Sequence, residues 1–187
     1  MEEKKTLAYR GIIYDRRGRE LAVNIDADSL YCNPREINSP EKVAAALSSI
    51  TGEDLGDIRR KISADKNFVW VKRKLDRERS AGLNEHPIKG VGLMPEVKRF
   101  YPKGILASHV IGFVGVDNQP LGGIELTYEK HLKGVAEKVE MSKDAGGRTL
   151  SEGLEFGRPG ESVVLTIDEG LQFAVEEGLN RAVTEWK

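Results

Sequence analysis

The stretch RGIIYDRRGRELA, Arg10–Ala22, constrains this chain more than any other, because six charges and two glycines crowd around a few apolar residues. Asp15 and Gly18 bracket Arg16 and Arg17 as the first and fourth residues of a type I turn, where aspartate accepts backbone hydrogen bonds and glycine tolerates the exit geometry. Ile13 leads in, and Leu21, Val23 and Ile25 lead out at a spacing of two. The segment therefore reads as a β-hairpin with one apolar face and a wet, cationic tip. Taken alone, it is architecture whose load is unspecified.

A chain of 187 residues, 39% of them hydrophobic, has room for one ordinary domain or two small ones with a real core. Its 29 basic and 30 acidic residues leave a formal charge of −1, so nothing draws it globally to nucleic acid or anionic lipid. Cys32 is the only cysteine, which excludes an internal disulfide and a zinc ribbon. There is no apolar run long enough to span a bilayer, and MEEKKTLAY lacks the apolar core of a signal peptide. As written, the chain is expected to be soluble, with any export signal or anchor of the natural protein outside it.

Beyond the hairpin, Ser29–Cys32 reads as a short strand, and Ser39 with Pro40 opens a helix that Gly52 stops. Thr51 and Asp54 form a box-like start for a second helix with Leu55, Ile58 and Ile62 inward. NFVWVKRKL (67–75) turns β-rich, with Phe68 and Trp70 on one face and Val69 and Val71 on the other. A short helix from Asp76, a strand over Val91–Tyr101 ended by Pro102 and Gly104, and a short helix in LASHVIGFVG follow. GGIELTYEKHLKG reads as one clear helix along Ile124, Tyr128 and Leu132, stopped by Gly134. Val135 to Met141 then alternate, DAGGR turns the chain, and VVLTID (Val163–Asp168) reads as a buried-type strand. Asp168 caps a last helix whose stripe, Leu171, Val175, Leu179, Ala182 and Trp186, runs to the final residue. A stripe that long needs a partner surface, so the chain is expected to be cut at a domain boundary.

Few residues of the chain stand in patterns that carry chemistry. SPEK (Ser39–Lys42) and SADK (Ser63–Lys66) match SxxK, in which a helical turn brings lysine to a nucleophilic serine. With this serine and lysine content, about one match arises by chance. No SxN, SDN or K[ST]G accompanies them, so no catalytic residue is assigned. His86, His109 and His131 are isolated, so no metal site is expected, and no phosphate-cradling glycine loop or acid/base pair stands out. From Arg59 to Arg79, nine basic residues face only Asp65, Asp76 and Glu78, with Phe68 and Trp70 interleaved. That stretch fits single-stranded nucleic acid or, more simply, a solvated basic strand edge that resists aggregation.

Three ordered stretches carry a resemblance. RGIIYDRRGRELA, RFYPKGILASHVIGFVG (Arg99–Gly115) and GGIELTYEKHLKG (Gly122–Gly134) are similar to the three motifs of the non-catalytic module of class B penicillin-binding proteins. VVLTIDEGLQ resembles the strand and helix leading into their transpeptidase domain. The helical insert followed by FVWVKRKL looks closest to the division-type branch, ahead of elongation- and sporulation-type relatives. One departure is visible: the family's GxxGIE has Pro120 at its first position here, so the turn before the helix must differ in its φ requirement.

The resemblance implies an α+β pedestal, or dimerisation, domain of two lobes spanning residues 1–187. A sheet lobe would take about 6–33 and 135–168, a head about 35–132, and residues 169–187 would lead into a missing transpeptidase domain. It implies no cofactor and no catalytic serine in this segment, the family's SxxK, SxN and KTG lying beyond it. Family structural residues would be Arg10, Gly11, Asp15, Arg16, Gly18, Arg99, Tyr101, Pro102, Gly123 and Glu125, with the charged ones buried and paired. Phe68, Trp70, Lys72 and Arg73 would be a partner contact. The implied partners are a SEDS-family peptidoglycan polymerase, other divisome proteins and the chain's own transpeptidase domain, without nucleic acid. The implied parent sits in the bacterial cytoplasmic membrane through an N-terminal helix, with this domain outside the membrane, and cross-links peptidoglycan through an acyl-enzyme.

Overall fold

The hairpin is present, and the rest of its unit is assembled around it. In the computed structural model, which describes residues 3–5, 7–140 and 157–186, strand β2 (Ile13–Tyr14) pairs antiparallel with β3 (Glu20–Cys32). Gly18 N–H donates to Asp15 O at 3.1 Å, closing the expected turn, and Gly18 sits at φ 78°, which a side chain disfavours. The register shifts between Ile13 and Tyr14, so that Leu21 and Ala22 are both buried in place of a strict alternation.

The chain divides into two compact units, Met1–Ile25 with Arg99–Lys187, and Asp26–Lys98. In the first unit β2 is flanked on its other side by β7 (Val163–Val164), paired in parallel. The core gathers Ile13, Leu21, Ala22, Ala107, Ile111 and Leu132, with Tyr101, Ile124, Val163, Leu165 and Ile167 packed at its margin. Strand β7 corrects the buried-strand reading of VVLTID: Val163, Leu165 and Ile167 face the core while Val164 is 64% exposed. Its hydrogen bonds run on past the two-residue strand, from Val163 N–H to Ile12 O, Leu165 N–H to Tyr14 O and Arg16 N–H to Ile167 O. Helix α4 is Ser108–Ile111. The expected single helix in GGIELTYEKHLKG is two pieces, α5 (Gly123–Thr127) and α6 (Glu129–Leu132), because Tyr128 leaves helical geometry at φ −102°, ψ 21°. Strand β1 (Glu3–Lys5) pairs antiparallel with β6 (Lys138–Glu140), while Met141 and the DAGGR turn lie outside the described residues. Helix α7 (Glu169–Glu185) ends the unit.

In the second unit, the expected short strand at Ser29–Cys32 is the latter part of the thirteen-residue β3. There β3 pairs with β4 (Val69–Asp76) and with β5 (Val91–Phe100). Helices α1 (Pro40–Thr51), α2 (Leu55–Ile62) and α3 (Arg77–Glu85) supply the apolar cover. Leu47, Ile58, Ile62 and Leu83 bury against Leu30, Cys32 and Val71. Ser39, at ψ 75°, makes no capping hydrogen bond, so α1 starts on Pro40 alone. Asp54 caps α2 through Gly56 N–H and Asp57 N–H, whereas Thr51 bonds back to Leu47 O, so the box is a simple cap.

Candidate functional site

Each of the three motifs contributes charged side chains to a single cluster in the first unit, centred on a buried carboxylate. Glu125, on α5 and wholly buried, lies between Arg10 and Arg99, which are 6% and 7% exposed. Arg10 Nη2 donates to Glu125 Oε2 at 2.8 Å and its Nε to the same oxygen at 3.1 Å, while Arg99 Nε donates to Oε1 at 2.7 Å. Tyr101 Oη lies 3.4 Å from Oε1. Burial first, and then the adjacent Glu125 charge, push the Tyr101 phenol up to about 12. Asn24, which the motifs do not flag, joins both arginines: its amide donates to Arg10 O at 2.6 Å, and its Oδ1 accepts from Arg99 at 3.4 Å. Glu129, one turn on from Glu125, ion-pairs Arg10 at 2.6 Å.

A second cluster gathers at the hairpin tip. The buried Asp15 carboxylate accepts from Arg17 N–H (2.8 Å), Arg19 N–H (2.9 Å), Arg19 Nε (2.8 Å) and, across the unit, Glu169 N–H (3.2 Å). Burial works against its charge, but the hydrogen bonds from Arg19, Glu169 and Arg17 win and hold the carboxyl far below the usual range. Asp168, the cap of α7, accepts from Gly170 N–H and Leu171 N–H and ion-pairs Arg17 at 2.8 Å and Arg19 at 3.2 Å. Desolvation is overcome there by the helix amides and the two guanidinium groups, so Asp168 too is held low. Arg19, Asp168 and Glu169 belong to this cluster without being singled out by the motif. The available signal was the placement of acidic residues at the start of a helix.

The other motif residues have plainer places. Gly11 is required because a Cβ there would meet Glu161 O at 1.8 Å. Arg16 is exposed and contributes its N–H to the strand ladder. Pro102 stands in the turn that Gly104 N–H closes onto Tyr101 O at 3.0 Å. Pro120 lies in an isolated bridge with Val114, and the positive φ of this turn falls at Gly123, 57°.

In the second unit, Phe68 stacks on Tyr31 with ring centroids 5.2 Å apart and meets Trp70 edge-on at 4.8 Å. The Arg73 guanidinium lies 5.3 Å above Trp70 and is held by both Glu96 oxygens at 3.0 Å. Phe68 is 45% exposed. Phe68, Trp70 and Arg73 thus form one surface group with Tyr31. Lys72, on the same strand as Trp70 and Arg73, ion-pairs with Glu53. Among the described residues there is no cluster of His, Cys, Asp and Glu fit to hold a metal, and no helix long and apolar enough to cross a membrane.

The family described as Penicillin-binding Protein dimerisation domain matches residues 5–165. The chain belongs to this family. Peptidoglycan D,D-transpeptidase FtsI of Escherichia coli K12 is 29% identical over 182 residues, which cover 93% of this chain and 31% of that protein. Stage V sporulation protein D of Bacillus subtilis is 30% identical over 183 residues, 95% of this chain and 28% of that protein. The dimerisation domain described here therefore spans about a third of the length of these curated relatives. Among solved structures, Helicobacter pylori PBP2 in complex with MreC aligns with a TM-score of 0.70 at 21% identity, over 94% of this chain and 38% of that one. Penicillin Binding Protein 2X of Streptococcus thermophilus gives 0.59 at 21% identity, over 96% and 31%. At these identities the likeness establishes the fold, α+β, shared with penicillin-binding proteins.

Proposed function

We propose that this dimerisation domain is the non-catalytic pedestal of a class B penicillin-binding protein, positioning a D,D-transpeptidase domain and docking cell-wall synthesis partners during septal peptidoglycan cross-linking. The family match over residues 5–165 carries the reading, and a relative named as a D,D-transpeptidase supplies the chemistry of the parent. In this reading Arg10, Gly11, Asp15, Arg16, Gly18, Arg99, Tyr101, Pro102, Gly123 and Glu125 are structural, and residues 169–187 lead toward the catalytic domain. The parent is anchored in the cytoplasmic membrane with this domain on its outer side. A solved complex of PBP2 with MreC supports docking as a task for proteins of this kind. The contact surface proposed is the Phe68, Trp70 and Arg73 group, with Lys72 beside it in sequence, since aromatic and arginine side chains dominate binding hot spots. The partners are a SEDS-family polymerase and other divisome proteins. A sporulation role is a second reading, because the sporulation relative is as similar as the division one, 30% against 29%.

The test is a graft of this segment, restored to a membrane anchor without the transpeptidase, into a host bearing the matching partners. Septal localisation, or hindered division, is expected, and Phe68→Ala with Trp70→Ala abolishes it. Diffuse localisation with no effect on division at high expression would leave only a passive spacer.

A further inference from the structure

Helix α7 is mounted the opposite way round from an ordinary surface helix. None of its side chains is buried, and those half-buried are Glu169, Gln172 and Glu176. Their spacing of three and four places them on one helical face. The apolar residues Leu171, Phe173, Val175, Leu179, Val183 and Trp186 are all more than half exposed. An amphipathic helix normally buries the apolar stripe, and most of its stability comes from that burial. Here attachment is polar and occurs at two points.

The first point is the hairpin cluster. The strand ladder ends with Arg16 N–H on Ile167 O, and beyond it the first turn of α7 is held by Asp15 on Glu169 N–H, by Arg17 and Arg19 on Asp168, and by Lys103 on Glu169 at 3.0 Å. The second point lies two turns along: Glu176 Oε1 accepts from Ala107 N–H at 2.9 Å and from Gln172 Nε2 at 2.8 Å. Ala107 adopts φ 52°, strained for a residue with a Cβ, and it presents this N–H at the start of α4. One point fixes where α7 begins, and two fix where it points.

We propose that α7 is a lever whose direction is set by this polar mount, with the Asp15–Arg19–Asp168 cluster as pivot and Glu176 as latch. Releasing the latch lets the helix swing about Asp168 while the sheet beneath it stays folded. Because the apolar side chains of α7 are each more than half exposed among the described residues, the main cost of that swing within this unit is the exchange of two or three hydrogen bonds for water. Glu176 and Arg17 are positioning residues in this device. The proposal needs no partner and stands independently of docking at the Phe68 surface.

The test is electron–electron double resonance on the whole chain, with nitroxides at Glu20→Cys in β3 and Thr184→Cys near the end of α7, in a Cys32→Ala background. The parent pair is expected to give one narrow distance distribution at low salt. Glu176→Ala widens it about twofold or splits it, and Arg17→Gln, at an exposed side chain, widens it less. Raising NaCl to about 1 M acts in the same sense by screening Arg17 and Lys103. Arg181→Gln, which loses only an exposed pair with Glu177, leaves it narrow. Far-ultraviolet circular dichroism and the melting temperature of each variant report that the sheet is intact. A distribution that is already broad in the parent, or that Glu176→Ala leaves unchanged in a folded chain, overturns the proposal.

Discussion

Glu125→Gln keeps the volume at the centre of the motif cluster and removes its charge. The side chain is wholly buried and accepts three short hydrogen bonds from two guanidinium groups that are themselves almost without solvent. Neutralising it leaves two buried cations facing one another, with Glu129 as the remaining carboxylate on Arg10 and none on Arg99 among the described residues. Arg99 Nη2 is already buried without a hydrogen-bond partner, so Arg99 has little to fall back on. Removing one partner of such a buried pair costs about 3–5 kcal/mol. In a chain of this size that lowers the melting temperature by roughly 6–20 °C. The assay is thermal unfolding by circular dichroism, and the companion is a triple variant, Arg10→Met, Glu125→Leu, Arg99→Met. Because the penalty comes from the stranded charges and not from a large net gain in the native cluster, the triple variant is expected to be far less destabilised than Glu125→Gln. A melting point unchanged by Glu125→Gln, or a triple variant as unstable as the single one, would show that the cluster does not act through buried charge.

Acid should loosen the hairpin tip. Asp15 and Asp168 are held below the unfolded value of about 4, so the stability they confer is complete above it and is lost as pH falls through and below that value. The melting temperature is expected to be flat from pH 7 to 5 and to drop below pH 4, with a shallower drop in Asp15→Asn. A flat profile down to pH 2 would contradict the assignment. Gly11→Ala is expected to cost about 1–3 kcal/mol, because the new methyl group meets Glu161 O and the strand must shift, which denaturant titration measures. Incubation of the chain with a fluorescent penicillin is expected to leave its intact mass unchanged, and a stoichiometric adduct at Ser39 or Ser63 would overturn the family placement of the catalytic serine elsewhere.

The hairpin was legible because every requirement of its turn is local: an acceptor at Asp15, a positive φ at Gly18, and apolar residues on either side. The three motifs were legible as a set, and the family they resemble matches most of the chain. That Arg10 and Arg99 meet on the Glu125 carboxylate is a long-range fact, with a sequence separation of 115 between Arg10 and Glu125, and no periodicity encodes it. Tyr128 shows the opposite failure. A spacing of four promised one helix, but Tyr128 leaves helical geometry and divides it into α5 and α6, a local dihedral that the apolar period does not encode. Helix α7 was legible as a helix from its Asp168 cap and the period of its apolar stripe. The polar face that holds it was invisible, since Glu169, Gln172 and Glu176 look like any solvated surface until Ala107 and Lys103 are placed beside them.

The parallel pairing of β2 with β7 has a temporal consequence. Strand β2 is synthesised well before its second neighbour, which follows about 150 residues later. Residues 26–98 form an uninterrupted stretch and hold every member of their own core, so they can condense while the remainder is still being made. The unit around β2 is discontinuous and must wait, its hairpin closing early but its far edge bare until Val163 arrives. Its assembly is dominated by pairings remote in sequence, which are slow to form. Folding should therefore show two phases, a fast one reported by Trp70 and a slow one that buries Tyr101.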